Sequence, residues 1–207
     1  MARYSGQSQA IAVCIVRTEL LPVRPFKQVN AAALQNSFSR VMIKVFPVRD
    51  NRQTKDAAAL MRQLVDANKL LYYDDLETIE EYYRGSWFFS DRPEIPDRFK
   101  PPLGEILIGY LDDHACGSVA ICRMDEEHCE LKSMFVSPEF RRKGVAIALC
   151  EAVIKTAIEQ GYEVVRLTTG ERQPEARSLY AGLGFNPVKP WDENPPEGYD
   201  YFAMSIA

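Results

Sequence analysis

No apolar run in this chain of 207 residues approaches the roughly 20 that a membrane-spanning helix requires, so no membrane partner is expected. Cysteine is sparse and unpatterned. The five cysteines (Cys14, Cys116, Cys122, Cys129 and Cys150) are an odd count without C-x-x-C spacing, and all but Cys14 fall on expected strands or a helix, which points to reduced, buried thiols in a reducing compartment such as the cytoplasm. Histidine is scarcer still. His114 and His128 sit beside acidic residues in turn-like stretches with no metal-ligand spacing; both read as solvated turn residues, and no metal is expected. The phosphate loops of the nucleotide-binding folds are missing too, since neither G-x-x-x-x-G-K-[ST] nor G-x-G-x-x-G occurs. Acid is nearly absent from the start: residues 1–49 hold seven Lys/Arg against Glu19 alone, or +6, which leaves −10 of the net −4 for residues 50–207. An acidic main body argues against nonspecific nucleic-acid binding.

What is present suffices for a full core, with 46% hydrophobic residues over a length that suits one domain with an appendage. Residues 1–40 are acid-poor, with scattered arginines and Ser5, Ser8, Ser37 and Ser39. They read as a disordered leader, or as an organelle-targeting segment. The globular domain is expected from Val41, where residues 41–48 alternate like a strand. Thr54 is the expected cap of a helix whose apolar positions Ala57, Leu60, Met61, Leu64, Ala67 and Leu71 recur at helical spacing. A second helix is expected over about residues 75–87. The stretch from 72 to 89 is crowded with Tyr82, Tyr83, Trp87, Phe88 and Phe89, and with Asp74, Asp75, Glu77, Glu80 and Glu81. Aromatics and acids together would suit an amine-bearing ligand. A solvated acidic face over an aromatic core face explains the same pattern.

After the proline-marked connection through Pro93, Pro96, Pro101 and Pro102, three β-like runs (residues 105–110, 116–123 and 129–136) are separated by short turns. Such spacing predicts an antiparallel meander. The third run leads through Ser137-Pro138 into Arg141-Arg142-Lys143-Gly144-Val145-Ala146 and a long apolar helix over about residues 145–160, ended by Gly161. Its apolar residues fall on two stripes, Val145/Leu149/Ala152/Val153 and Ile147/Ile154/Ile158, which predicts packing against a sheet. A strand delivering the chain to a helix N-terminus presents unpartnered N–H groups and about half a positive charge, and such termini bind phosphate. Gly144 lets the backbone approach a ligand or take positive φ, and Arg141, Arg142 and Lys143 add charge. This reads as a pyrophosphate cradle, or more plainly as a basic surface turn. Residues 163–168 then form a strand, which implies a right-handed parallel crossover beside the meander. A short helix follows, with Pro174 in its first turn, Ala176, Leu179, Tyr180 and Leu183 on one face and Gly184 at its end. Residues 188–191 and 201–206 are expected to close the sheet as a strand pair.

Arg141-x-x-Gly144-x-Ala146 after a strand ending Met-Phe-Val, with Ala176-x-x-Leu179-Tyr180-x-x-Leu183-Gly184-Phe185 downstream, resembles the GNAT family of acyl-CoA-dependent N-acyltransferases over residues 41–207. The resemblance implies an α/β fold with a mixed central sheet splayed between strands 4 and 5 and flanked by helices, with acetyl-CoA as cosubstrate in the opening. It implies that Phe135 and Val136 offer backbone groups to the pantetheine arm and that the backbone of Arg141, Arg142, Lys143, Gly144, Val145 and Ala146 holds the pyrophosphate. Gln173 stands where many members have Asn, and Ala146 replaces the second glycine of the commonest loop.

Acyl transfer from a thioester needs a neutral amine, a polarised carbonyl and a proton for the thiolate. An alkyl amine of pKa about 10.4 is disfavoured as free base at pH 7 by about 4.6 kcal/mol, so a base or desolvation must help. Glu130, on the strand entering the loop, is the candidate general base, and a solvent-facing charge is its alternative reading. Tyr180 is the candidate proton donor, as the resemblance implies, with simple packing as its alternative reading, and a strand N–H near Val136 would polarise the carbonyl. The expected partner is a small-molecule amine, with a homodimer left open; a protein acetyltransferase and a non-catalytic acyl-CoA-binding module are the rival readings.

Overall fold

The computed structural model describes residues 42–207. The expected leader, residues 1–40, lies outside the described residues. The elements in order are β1 (Ile43–Pro47), α1 (Asn51–Leu71), α2 (Leu76–Tyr83), β2 (Gly104–Leu111), β3 (His114–Arg123), β4 (His128–Val136), α3 (Val145–Glu159), β5 (Val164–Gly170), α4 (Pro174–Gly182), β6 (Asn186–Pro187) and β7 (Tyr199–Ser205). The residue that starts α1 is Asp50, not Thr54. Its carboxylate accepts from the Gln53 N–H while the Gln53 side chain accepts from the Asp50 N–H, a reciprocal capping box. Thr54 lies inside the first turn, where its hydroxyl bonds back to the Asp50 carbonyl.

One seven-stranded sheet runs in the order β1-β2-β3-β4-β5-β7-β6. The antiparallel meander holds as the turn spacing predicted, and β4–α3–β5 forms the single parallel pair. Alternation along the strands separates two cores. Ile106, Ile108, Tyr110, Ala120 and Phe135 face α1 and α2, whereas Leu107, Val119, Ile121, Leu131 and Val136 face α3 and α4. Both expected stripes of α3 do not go inward: Val145, Leu149, Cys150, Val153 and Ala157 are buried, but Ile147 and Ile158 are about half exposed, at 47% and 53%. The sheet covers only one side of that helix, so one stripe saturates it. At the far edge, residues 188–191 do not form the expected strand. Pairing is carried by Asn186 and Pro187, Val188 adds one N–H bond to Tyr201, and Pro190 has no donor with which to continue.

The feature that positions the site is where pairing stops. β4 and β5 are laddered only from His128↔Val164 to Glu130↔Arg166. β4 continues to Val136 along β3, and β5 continues to Gly170 along β7. Beyond Glu130 the two strands diverge and leave a slot in the sheet. A bulge contributes: Ser118 pairs with Phe135 and Ala120 with Lys132, so two residues, Ser133 and Met134, oppose Val119, and Ser133 takes a left-handed φ of 54°.

Candidate active site

At one mouth of the slot, β4 passes through the 3₁₀ turn Pro138–Phe140 into the N-terminus of α3. Two residues there are left-handed, Arg142 at φ 60° and Gly144 at φ 85°. A Cβ on Gly144 would meet nothing closer than Ile43 Cδ1 at 3.7 Å, so the dihedral, not crowding, calls for glycine. Alternating right- and left-handed residues turn successive N–H groups toward one concavity, an arrangement that suits anions. The α3 terminus is pressed onto the sheet at Gly117, where a Cβ would lie 2.7 Å from the Phe135 carbonyl oxygen and 3.0 Å from Leu149 Cδ1. Val145 is buried, Ala146 is half-buried, and Arg142 and Lys143 are exposed, the Lys143 ammonium 5.2 Å above the Phe140 ring. Arg141 turns back, its Nε donating to the Val136 carbonyl at 3.2 Å.

The same bond reveals which way the strand's backbone points. Ser137 N–H donates to the Cys116 carbonyl across β3. Alternation then directs the Phe135 N–H and C=O to β3 as well and turns those of Val136 toward the slot. Of the two residues implied for the pantetheine arm, Val136 therefore carries the slot-facing groups. The Phe135 side chain fills the α1/α2 core, at 1% exposure.

Glu130 does not stand on the solvent face of its strand. It is 5% exposed and lines a cavity of about 800 Å³ between the sheet, the end of α2 and the loop through Pro96–Phe99. Its Oε1 accepts from Lys132 Nζ at 3.0 Å, both side chains lying on the α1/α2 face two residues apart. Burial works against the Lys132 ammonium, but Glu130, with Tyr82 and Cys122, outweighs it, and its pKa moves above the ordinary lysine value. Lys132 was not singled out from the sequence, although Glu-x-Lys on a strand puts both on one face. Cys122 borders the cavity half-buried, its thiol pushed up to about 11 by burial. Tyr82, Tyr83, Trp87 and Phe88 form its aromatic wall. The acids of the same stretch point elsewhere: Asp74, Asp75, Glu77, Glu80 and Glu81 are exposed, with Glu80 paired to Lys69, Glu81 to Arg84 and Asp74 to Arg172. The stretch is an acidic outer face over an aromatic inner one, not a cation trap. Arg172 grips Asp74 through two bonds of 2.5 and 2.8 Å and ties the α1–α2 corner to the β5–α4 turn.

Tyr180 lies in the other core. It is 2% exposed on α4, its ring edge-on to Phe185 at 5.7 Å, among the residues that pack beneath α3. Glu130 and Tyr180 thus belong to opposite faces of the sheet, and the slot is the place where the faces communicate. Gln173 is buried at the start of α4, its Oε1 accepting from the Thr169 hydroxyl at 2.9 Å and its N–H bonded to the Gly170 carbonyl. Of the histidines, His114 is exposed at the start of β3, while His128 begins β4 half-buried with Nδ1 2.7 Å from Asp125.

A family model described as the acetyltransferase (GNAT) family matches residues 72–185. Over 119 residues the chain is 43% identical to N-acetyltransferase 8 of Homo sapiens, a match covering 48% of this chain and 52% of that protein. It is 33% identical over 118 residues to N-acetylaspartate synthetase of Homo sapiens, covering 56% of this chain and 39% of that protein. The chain spans about half the length, or less, of these curated relatives. Among solved structures, the PaiA N-acetyltransferase of Thermoplasma acidophilum, crystallised in complex with coenzyme A, superposes with a TM-score of 0.62 over 79% of this chain and 99% of that one, at 16% identity. That likeness is one of fold. With the family model spanning more than half of the residues, the chain belongs to the GNAT acetyltransferase family.

Proposed function

We propose that this chain is an acyl-CoA-dependent N-acetyltransferase that acetylates the primary amine of a small molecule by direct attack, with residues 41–207 as its catalytic body. The observation that carries the reading is the slot between β4 and β5, with an anion-binding helix terminus at its mouth and a carboxylate-lined cavity on the α1/α2 face. The residues fit a CoA thioester: the slot-facing groups of Val136 suit an amide-bearing arm, and the left-handed Arg142 and Gly144 at the head of α3 suit a pyrophosphate.

When bound, acetyl-CoA supplies the thioester whose carbon forms the new C–N bond as its C–S bond breaks. The chain's own groups manage charge and protons around that exchange. Val136 N–H donates to the carbonyl oxygen where negative charge grows. Glu130, paired with Lys132 at 3.0 Å, takes the proton that the amine nitrogen loses, directly or through a water. Tyr180 gives its proton to the departing thiolate. Proton exchange with solvent restores both side chains, so the products are the amide and a free thiol.

The aromatic wall of the cavity favours a small acceptor over a protein segment. One relative is named for making N-acetylaspartate, which supports the same choice. The amine needs desolvation as well as a base, and the aromatic wall supplies it. Among the described residues no helix is long and apolar enough to cross a membrane. The reading places the protein in the cytoplasm, with targeting by residues 1–40 as the alternative that fractionation of the full chain would reveal.

The test is calorimetric titration of the full chain with acetyl-CoA and with CoA, followed by thiol release on an amine panel. We expect saturable one-to-one binding of acetyl-CoA and turnover of at least one small amine. Tyr180→Phe should bind acetyl-CoA as wild type does and lose about 100-fold in kcat. Absence of acetyl-CoA binding would refute the reading. Binding without turnover of any amine would leave an acyl-CoA-binding module in its place.

A further inference from the structure

The cavity on the α1/α2 face is lined by more cationic than anionic side chains. Arg84, Arg98, Arg123 and Lys132 line it, against only Glu130 and Asp192. Most of these charges are occupied within the protein. Lys132 pairs with Glu130, Arg84 pairs with Glu81 at 2.7 Å, and Asp192 accepts from the Tyr201 hydroxyl at 3.0 Å. Arg123 donates from Nε to the Asp125 carbonyl and reaches Glu126 only at 3.9 Å. Arg98 makes no ion pair among the described residues. Its guanidinium is stacked 4.7 Å over the Phe99 ring, a position that holds its plane while leaving its N–H donors for another partner.

Arg98 is also tied through its backbone to the strand row that ends at Glu130. Its backbone is pressed against Gly104, where a Cβ would lie 2.3 Å from the Arg98 carbonyl oxygen. Gly104 pairs with Cys122, and Cys122 pairs with Glu130, so Arg98 and Glu130 terminate one cross-strand row. Two strand spacings separate Gly104 from Glu130, about 10 Å, a span comparable with the length of a small molecule. The Cys122 thiol, midway along the row, feels the charges of Lys132, Glu130 and Arg98 together.

We propose that the acceptor is an amino acid or a close analogue, bearing a carboxylate on the same molecule as its reacting amine: Arg98, assisted by Arg123, holds the carboxylate while the amine meets Glu130. This rests on the N-acetyltransferase reading above and specifies its substrate class. A planar guanidinium with parallel N–H donors matches a carboxylate in a way a lone ammonium does not. Opposite charges at the two ends of the row orient the zwitterion, and the aromatic wall of Tyr82, Trp87 and Phe88 faces whatever apolar side chain it carries.

The experiment compares matched sets of L-amino acids, their primary amides and the corresponding decarboxylated amines, using the full chain at saturating acetyl-CoA with thiol release as the readout. Calorimetric binding of the same compounds to the CoA-loaded protein gives a second measure. The acids should exceed their amides by about 10-fold or more in kcat/KM, chiefly through KM, as the loss of one charge-assisted contact implies. Arg98→Gln should raise KM for the acids by about the same factor, hold kcat within about 3-fold and leave the amides unaffected; Arg123→Gln should give a smaller change in the same direction. Amides and decarboxylated amines used as well as the acids, or an Arg98→Gln loss equal for both classes, would overturn the proposal while leaving the N-acetyltransferase standing. Acetyl-CoA binding with no acid or amine acetylated would overturn both.

Discussion

Lys132 decides what Glu130 can be. At 5% exposure the Glu130 carboxylate has lost most of its water, and the Lys132 ammonium 3.0 Å away supplies the compensating partner at the cavity wall. Removing one partner from such a pair is far costlier than removing both. Lys132→Met should therefore destabilise the fold by about 3 kcal/mol, and Glu130→Gln combined with Lys132→Met should recover most of it, read from urea midpoints at pH 7. Glu130→Gln alone should lower kcat by about 100-fold with acetyl-CoA affinity unchanged. Equal midpoints for the Lys132 single and double variants would mean that the pair is not coupled. Each side chain of the pair was in plain view in the sequence, but their shared burial was not: alternation puts them on one face, and only the packing of α2 and its following loop over that face makes it an interior.

The head of α3 is the element to which the proposal assigns cofactor affinity. Gly144 at φ 85° sets the path of the loop, and Gly117 lets the first turn of the helix lie against β3. A β-branched residue at position 144 pays about 1–2 kcal/mol for the left-handed dihedral, which for a domain of this size lowers Tm by about 2–8 °C. Gly144→Val should show that modest loss together with a drop of about 10-fold or more in acetyl-CoA affinity, because the N–H groups no longer converge. Asp50→Ala serves as the matched control. It should lose about 1 kcal/mol of capping-box stability at α1 and bind acetyl-CoA as wild type does. Retained affinity in Gly144→Val would reduce the loop to a basic turn. The choice between Thr54 and Asp50 as the cap of α1 illustrates a limit of local reading. Both residue types cap well and stand four apart, and the strand ahead of the helix determines where the chain turns.

For the whole molecule, burial of the thiols sets a pH limit. Burial raises Cys116 and Cys122 to about 11 and Cys129 to about 12, against about 8.5 for a free thiol. A group whose folded pKa is raised stabilises the fold fully below its unfolded pKa, and that contribution is lost as pH climbs through the folded value. Stability should therefore be level near neutrality and fall from about pH 8.5 upward, with Lys132 adding to the fall above about 10.4. Urea midpoints at pH 7 and pH 10.5 test this, and at pH 8 the thiols of Cys116, Cys122 and Cys129 should react with a disulfide reagent far more slowly than in urea. A midpoint that rises with pH over that range would contradict it. The sequence by itself determined the strand–helix order, the meander, the Arg141–Ala146 loop and the helix carrying Tyr180, because these rest on spacing, turn residues and apolar period, which act between near neighbours. It also placed Glu130 and Tyr180 among the reactive candidates. Only the tertiary structure decided that the pairing of β4 with β5 ends at Glu130, that Glu130 and Tyr180 lie on opposite faces, that the acids of α2 turn outward, and that Lys132 and Arg98 share the cavity. Those outcomes depend on which distant strands and loops settle over a given face. Local pattern fixes which side of an element is apolar, and long-range register fixes what that side meets.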